Sequence, residues 1–167
     1  MPEDKYIQFI PFSVSESDFS TLTEEEINLE VSYVNMTAIE LHAVTVEPSM
    51  PGDIPDANGT ETLDIFITTQ PVSEVQFLND EYVIYHTRLI RHAGVDTYKP
   101  EWIIVAGCPL HYKPAKPILL VQQKIYVYIK GTSGSVKHYV RGRLEVTYTK
   151  LSKDKWREAF ETWAPTG

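Results

Sequence analysis

The sequence predicts an all-β fold: an antiparallel, jelly-roll-like β-sandwich of about eight strands with one short C-terminal α-helix. Three observations carry this. Apolar and polar residues alternate in strand-length runs over most of the chain, as expected of strands with one face in a core and one in water. No internal stretch of any length shows helical periodicity. Two long connections, Glu47–Thr60 and Gly107–Pro117, hold three prolines each, which suits chain crossing between two sheets. An immunoglobulin-type sandwich is the alternative, and the absence of a Cys…Trp…Cys pattern counts against it.

Taken in order, Lys5–Val14 carries Tyr6-Ile7-Gln8-Phe9-Ile10 and then Pro11. A proline cannot donate to a ladder, so this reads as an edge strand or a docked arm. Ser15–Glu26 is polar and acidic and reads as a loop, or a turn of helix capped near Thr23 by Glu24-Glu25-Glu26. Ile27–Asn35 and Ala38–Val46 alternate as strands, Thr62–Thr69 is a short one, Val72–Leu78 a further candidate and Tyr82–His92 a longer one. Trp102–Ala106 is compact and wholly apolar, the type expected at the middle of a sheet. The clearest stretch is Ile118–Leu151, two alternating runs joined by Gly131-Thr132-Ser133-Gly134-Ser135, which reads as a long β-hairpin. Trp156, Phe160 and Trp163 then fall at i, i+4 and i+7, with Ser152 as N-cap, Leu151 placed to staple Trp156, and Pro165 as the stop. A helix this short is marginal alone in water, so it must dock. The chain reads as one domain: residues 1–26 an N-terminal strand or arm with an acidic loop, 27–151 the sandwich, 152–167 the amphipathic helix and tail.

At 167 residues the chain is long enough for a real core. One cysteine, Cys108, excludes an internal disulfide framework. The N-terminus lacks an apolar signal core and no run approaches a membrane span, so a soluble, cytosolically made protein is expected. Asn35-Met36-Thr37 and Asn58-Gly59-Thr60 match the glycosylation pattern and are read as chance. The net charge of −8 conceals an asymmetry: residues 1–75 hold fifteen Asp/Glu against Lys5 alone, a net of −14, while residues 76–167 hold fourteen Lys/Arg against eight Asp/Glu, a net of +6. Either the halves interleave and neutralise each other across neighbouring strands, or the molecule has an acidic and a basic surface suited to contacts between copies.

No phosphate loop, nucleophile elbow or metalloprotease motif occurs, so no enzyme and no cofactor is expected. The five histidines, at 42, 86, 92, 111 and 138, lack ligand spacing, and Cys108 reads as a packed thiol. Asp53, Asp56, Asn58 and Glu61 cluster oxygen ligands in one loop, a weak calcium candidate that departs from the usual spacing. Lys124, Lys130, Lys137, Arg141 and Arg143, interleaved with Tyr139, form a candidate basic face for nucleic acid or an acidic partner. The aromatic stripe Trp156, Phe160 and Trp163 either covers an open end of the sandwich or grips a neighbouring subunit. On the second reading, replacing both tryptophans by Ala weakens assembly and leaves the sandwich folded.

The eight-strand pattern, the crossings Glu47–Thr60 and Gly107–Pro117, the closing stretch Ile118–Leu151 and the helix Lys153–Trp163 together resemble the single jelly-roll coat proteins of icosahedral viruses. The resemblance is one of architecture and covers most of the chain. It implies a structural protein that self-assembles through strand ends, loops and terminal segments, with copies of itself and other capsid proteins as partners and the virion as its location. Many such coats begin with a basic genome-binding arm, whereas this chain begins acidic. A shell around an internal membrane, or one that leaves packaging to other proteins, fits better. The alternative is a carbohydrate- or receptor-binding sandwich using Tyr98, Trp102, His111, Tyr112 and the Asp53–Glu61 loop, since jelly rolls host both roles.

Overall fold

The computed structural model describes residues 6–49, 59–80, 82–92, 102–132 and 137–163. Among them are ten strands and one helix: β1 (Gln8–Ser15), β2 (Thr23–Asn28), β3 (Thr37–Pro48), β4 (Thr60–Thr68), β5 (Val83–His92), β6 (Ile103–Gly107), β7 (His111–Tyr112), β8 (Ile118–Leu120), β9 (Lys124–Gly131), β10 (Tyr139–Lys150) and α1 (Lys153–Trp163). They build two antiparallel sheets. The first has the order β1-β10-β3-β7, with β8 also on β3; the second has the order β2-β9-β4-β5-β6. β7 and β8 lie along β3 as one interrupted strand, the break falling at Pro114 and Pro117, which cannot donate to a ladder. Six of the nine connections between these strands change sheet, and the first and last strands pair. This interleaving is the jelly roll.

Alternation explains the core. On β9, Ile125, Val127 and Ile129 point inward, and on β10 so do Val140, Leu144 and Val146. They meet Leu41, Val44, Leu63, Ile65 and Leu89 from the other strands. Fully burying one such side chain contributes on the order of 2 kcal/mol.

Four expectations are corrected. Ile118–Leu151 is not a hairpin: β9 lies between β2 and β4 in one sheet, and β10 between β1 and β3 in the other. Their patterns match because both face the same core from opposite sides. The acidic segment at Thr23 is strand β2, an edge paired to β9, rather than a helical turn. Its glutamates have partners across the ladder, Glu26 on Lys124 at 2.8 Å and Glu24 on the Tyr128 hydroxyl. Residues 72–78 are irregular, with a bend at 73–74, rather than a strand, and they pack on the outer face of the second sheet. There Val72 N–H donates to the Tyr128 hydroxyl and Phe77 meets His86 edge-on at 5.1 Å. Finally, the apolar run at Trp102–Ala106 gives an edge strand, β6, not a central one.

The interleaved topology brings part of the two charged halves together. Acidic strands of the first half pair with basic strands of the second: Asp64 holds Arg88 through two bonds of 2.8 and 2.9 Å, and Glu61 holds the buried Arg91 at 2.5 Å. Among the described residues no helix is long and apolar enough to cross a membrane.

Candidate functional site

The rim of the second sheet carries a run of three consecutive exposed apolar residues. Ile103, Ile104 and Val105 are 58%, 41% and 52% exposed. The register between β5 and β6 shifts here: Ala106 stands opposite Arg88 and Ile104 opposite Leu89, leaving Val105 as an extra, bulged residue. The bulge breaks the in–out alternation, so consecutive side chains reach solvent. Gly107 ends the strand at φ +85, and a Cβ there would lie 2.2 Å from the His86 carbonyl oxygen, so only glycine fits.

At one end of the sandwich α1 covers the strand connections. Ser152 caps it at 3.4 Å to Lys155 N–H, and Leu151 and Trp156 pack together as the staple predicts. Trp156 is only 7% exposed and packs with Ala38, Val121 and Ala159, its ring edge-on to Tyr33 at 4.9 Å. Of the aromatic stripe, Trp156 is therefore the lid. Phe160 stacks on it at 5.4 Å yet stays 48% exposed, and the Trp163 side chain lies outside the described residues. Between α1 and the segments 33–36 and 121–126 runs an open groove of about 740 Å³. Its walls are Tyr33, Met36, Val121, Trp156 and Phe160, and Lys124, Lys153 and Arg157 are its charged lining residues.

At the opposite end, four connections meet in a buried polar cluster. The Glu16 carboxylate accepts the Gly131 N–H at 2.6 Å and the His138 N–H at 2.8 Å, clamping the crossing from β9 to β10. The Arg91 guanidinium, paired with Glu61, lies 5.1 Å over Trp102, which meets His138 edge-on and donates to the Ser49 carbonyl at 2.8 Å. The His138 ring is fully buried, and neither nitrogen has a hydrogen-bond partner among the described residues. Burial holds its pKa below the ordinary value, as does Arg91, against the opposing pull of Glu16 and Glu61. None of this was legible beforehand, because the residues come from separate strands and share no spacing.

The calcium candidates divide. Asp53, Asp56 and Asn58 lie outside the described residues, while Glu61 is buried and committed to Arg91. No group of three or more His, Cys, Asp or Glu able to hold a metal occurs among the described residues.

The basic candidates do not form one face. Lys124 and Lys130 belong to β9 in the second sheet, and Arg141 and Arg143 to β10 in the first; Lys137 lies at the crossing between them. Four of the five have local company: Lys124 pairs with Glu26, Lys137 donates to the Ser17 carbonyl, Arg141 lies over Tyr139, and Arg143 over Phe9.

The residues considered for glycan binding are likewise dispersed. Trp102 belongs to the polar cluster, Tyr112 packs against the core, His111 bonds Thr45 at 2.7 Å, and Tyr98 lies outside the described residues. His86 and Arg88 both hold Asp64; burial pushes that carboxyl up, but hydrogen bonds from His86 and Arg88 outweigh it and leave its pKa lowered. Cys108 is a buried thiol, pushed up by desolvation.

No family model matches the chain, and no curated protein matches it. In architecture it is similar to a chain in the solved structure of Desmodium yellow mottle tymovirus. The two share 9% identity with a TM-score of 0.35, over 92% of this chain and 94% of that one. What establishes the jelly roll here is the strand order of the two sheets.

Proposed function

We propose that this protein is a structural, self-assembling subunit, a jelly-roll building block of a closed shell such as a virion coat, acting without catalysis. The observation that carries the reading is the uncharged rim Ile103-Ile104-Val105 on β6. Natural sheet edges are normally blunted by charge or proline. β1 carries Pro11 and β2 carries Glu24-Glu25-Glu26, whereas Ile103–Gly107 carries neither. An exposed apolar patch of this kind marks a protein contact, and a second copy of the chain offers the same patch in return. Its side chains, freed by the bulge, make the contact in place of a continued ladder. Phe160 on α1 adds a half-exposed aromatic at the far end of the molecule, where a second set of contacts would allow the assembly to grow beyond a dimer.

The test is the mass of the purified protein by light scattering, beside that of Val105→Glu. Large species for the native chain, collapsing to monomer or dimer in the variant with unchanged circular dichroism, are the expected result. A native chain that remains monomeric at every concentration overturns the reading.

A further inference from the structure

We propose that the groove beside α1 is a binding site for a single-chain anionic amphiphile, an acyl carboxylate in monomeric form. The inference does not rest on the β6 contact, though it gives Phe160 a different use from the second contact proposed above. A volume of about 740 Å³ lies within the range of small-molecule sites, which combine mainly apolar walls with a few polar groups that fix orientation. Here the apolar walls come from three separate places: Tyr33 and Met36 before β3, Val121 after β8, and Trp156 and Phe160 on α1.

The charge of the lining fixes the head group. In a protein of net charge −8, the groove is lined by three cations, Lys124, Lys153 and Arg157, and among the described residues by no carboxylate. Lys124 and Arg157 lean on Glu26 and Glu161, at 2.8 and 2.9 Å, in solvent-exposed pairs whose strength is small and screened. Lys153 has no ion pair among the described residues and stands at the first turn of α1, where the helix dipole also favours a negative group.

A second observation concerns the wall itself. Trp156 and Thr69 both line the groove, both are more than nine-tenths buried, and the Trp156 indole N–H and Thr69 hydroxyl find no hydrogen-bond partner among the described residues. Buried donors of this kind are rare without a reason; both atoms are closed to solvent, and a carboxylate that displaced the side chains over them would supply acceptors for both. The apolar chain then lies along Phe160, which explains why an otherwise docked helix leaves that ring half in water. A cationic or uncharged chain of equal length would gain the apolar contact without the charge.

The test follows Trp156 emission during titration with dodecanoate below its micelle concentration, beside dodecanol and dodecyltrimethylammonium. Trp156→Phe serves as the control for Trp102 and Trp163. Saturable binding of dodecanoate, at least tenfold weaker for both other heads, is expected. Lys153→Glu should weaken it at least tenfold at an unchanged melting temperature, and Phe160→Ala severalfold. Equal binding of all three amphiphiles overturns the anionic assignment, and no saturable change overturns the site. Emission that shifts with protein concentration alone shows a second copy seated there, and overturns it too. Because the readout is made on the monomer-sized fraction, a failure of assembly leaves it interpretable.

Discussion

Glu16 shows how much one side chain can decide at a crossing between the two sheets. Its two carboxylate oxygens take backbone N–H groups from either end of the β9–β10 connection, and its own N–H donates to the His138 carbonyl at 2.9 Å. Glu16→Gln removes the charge and turns a donor toward one of those N–H groups. We expect a loss of about 2 kcal/mol, the worth of a charge-assisted hydrogen bond, read by urea denaturation. His138, beside it, makes the same corner acid-sensitive. Its folded pKa lies below the ordinary 6.5, so as pH falls below that value the unfolded chain takes up the proton first. The contribution of the neutral ring is complete above pH 6.5 and is lost progressively beneath it. Melting temperature should drop between pH 7.5 and 5.5 by more in the native chain than in His138→Leu. Equal drops would assign the acid sensitivity to other groups.

At the scale of the element, α1 behaves as a lid with one exposed ring. Trp156→Ala empties the space against Ala38, Val121 and Ala159 and should cost about 3–5 kcal/mol, with faster amide exchange in 153–163. The double replacement with Trp163 therefore tests folding before it tests assembly. Phe160→Ala, at a half-exposed position, should cost less than about 1 kcal/mol, so it is the variant that separates contact from stability. The helix was legible because its cap, staple and period are all local. β2 was not, because three consecutive glutamates resemble a helix start until their partners on β9 are known. Nor was the position of Trp102–Ala106, since a short apolar run fits a central strand and a bulged edge equally well.

For the whole molecule, period-two alternation disclosed which face of each strand is buried, and hence the sandwich. It could not disclose neighbours: β9 and β10 look like a hairpin in sequence and lie in opposite sheets. The groove and the polar cluster were hidden for the same reason, being assembled from chain far apart in sequence. The interleaving also changes what salt should do. Glu61–Arg91, Asp64–Arg88 and Glu26–Lys124 join the two halves within one molecule, and the β6 rim is itself uncharged, so the proposed contact does not depend on charge. Assembly through the β6 rim should persist or strengthen from 50 mM to about 1 M NaCl in light scattering; dissolution by salt would point to ionic contacts instead. One further consequence belongs to synthesis. β10 occupies the middle of one sheet, and β9 that of the other, so β1 has no partner on the ladder until Lys150 has left the ribosome. The nascent chain must hold its apolar faces in waiting through most of translation, and it can fold only once, late and all together.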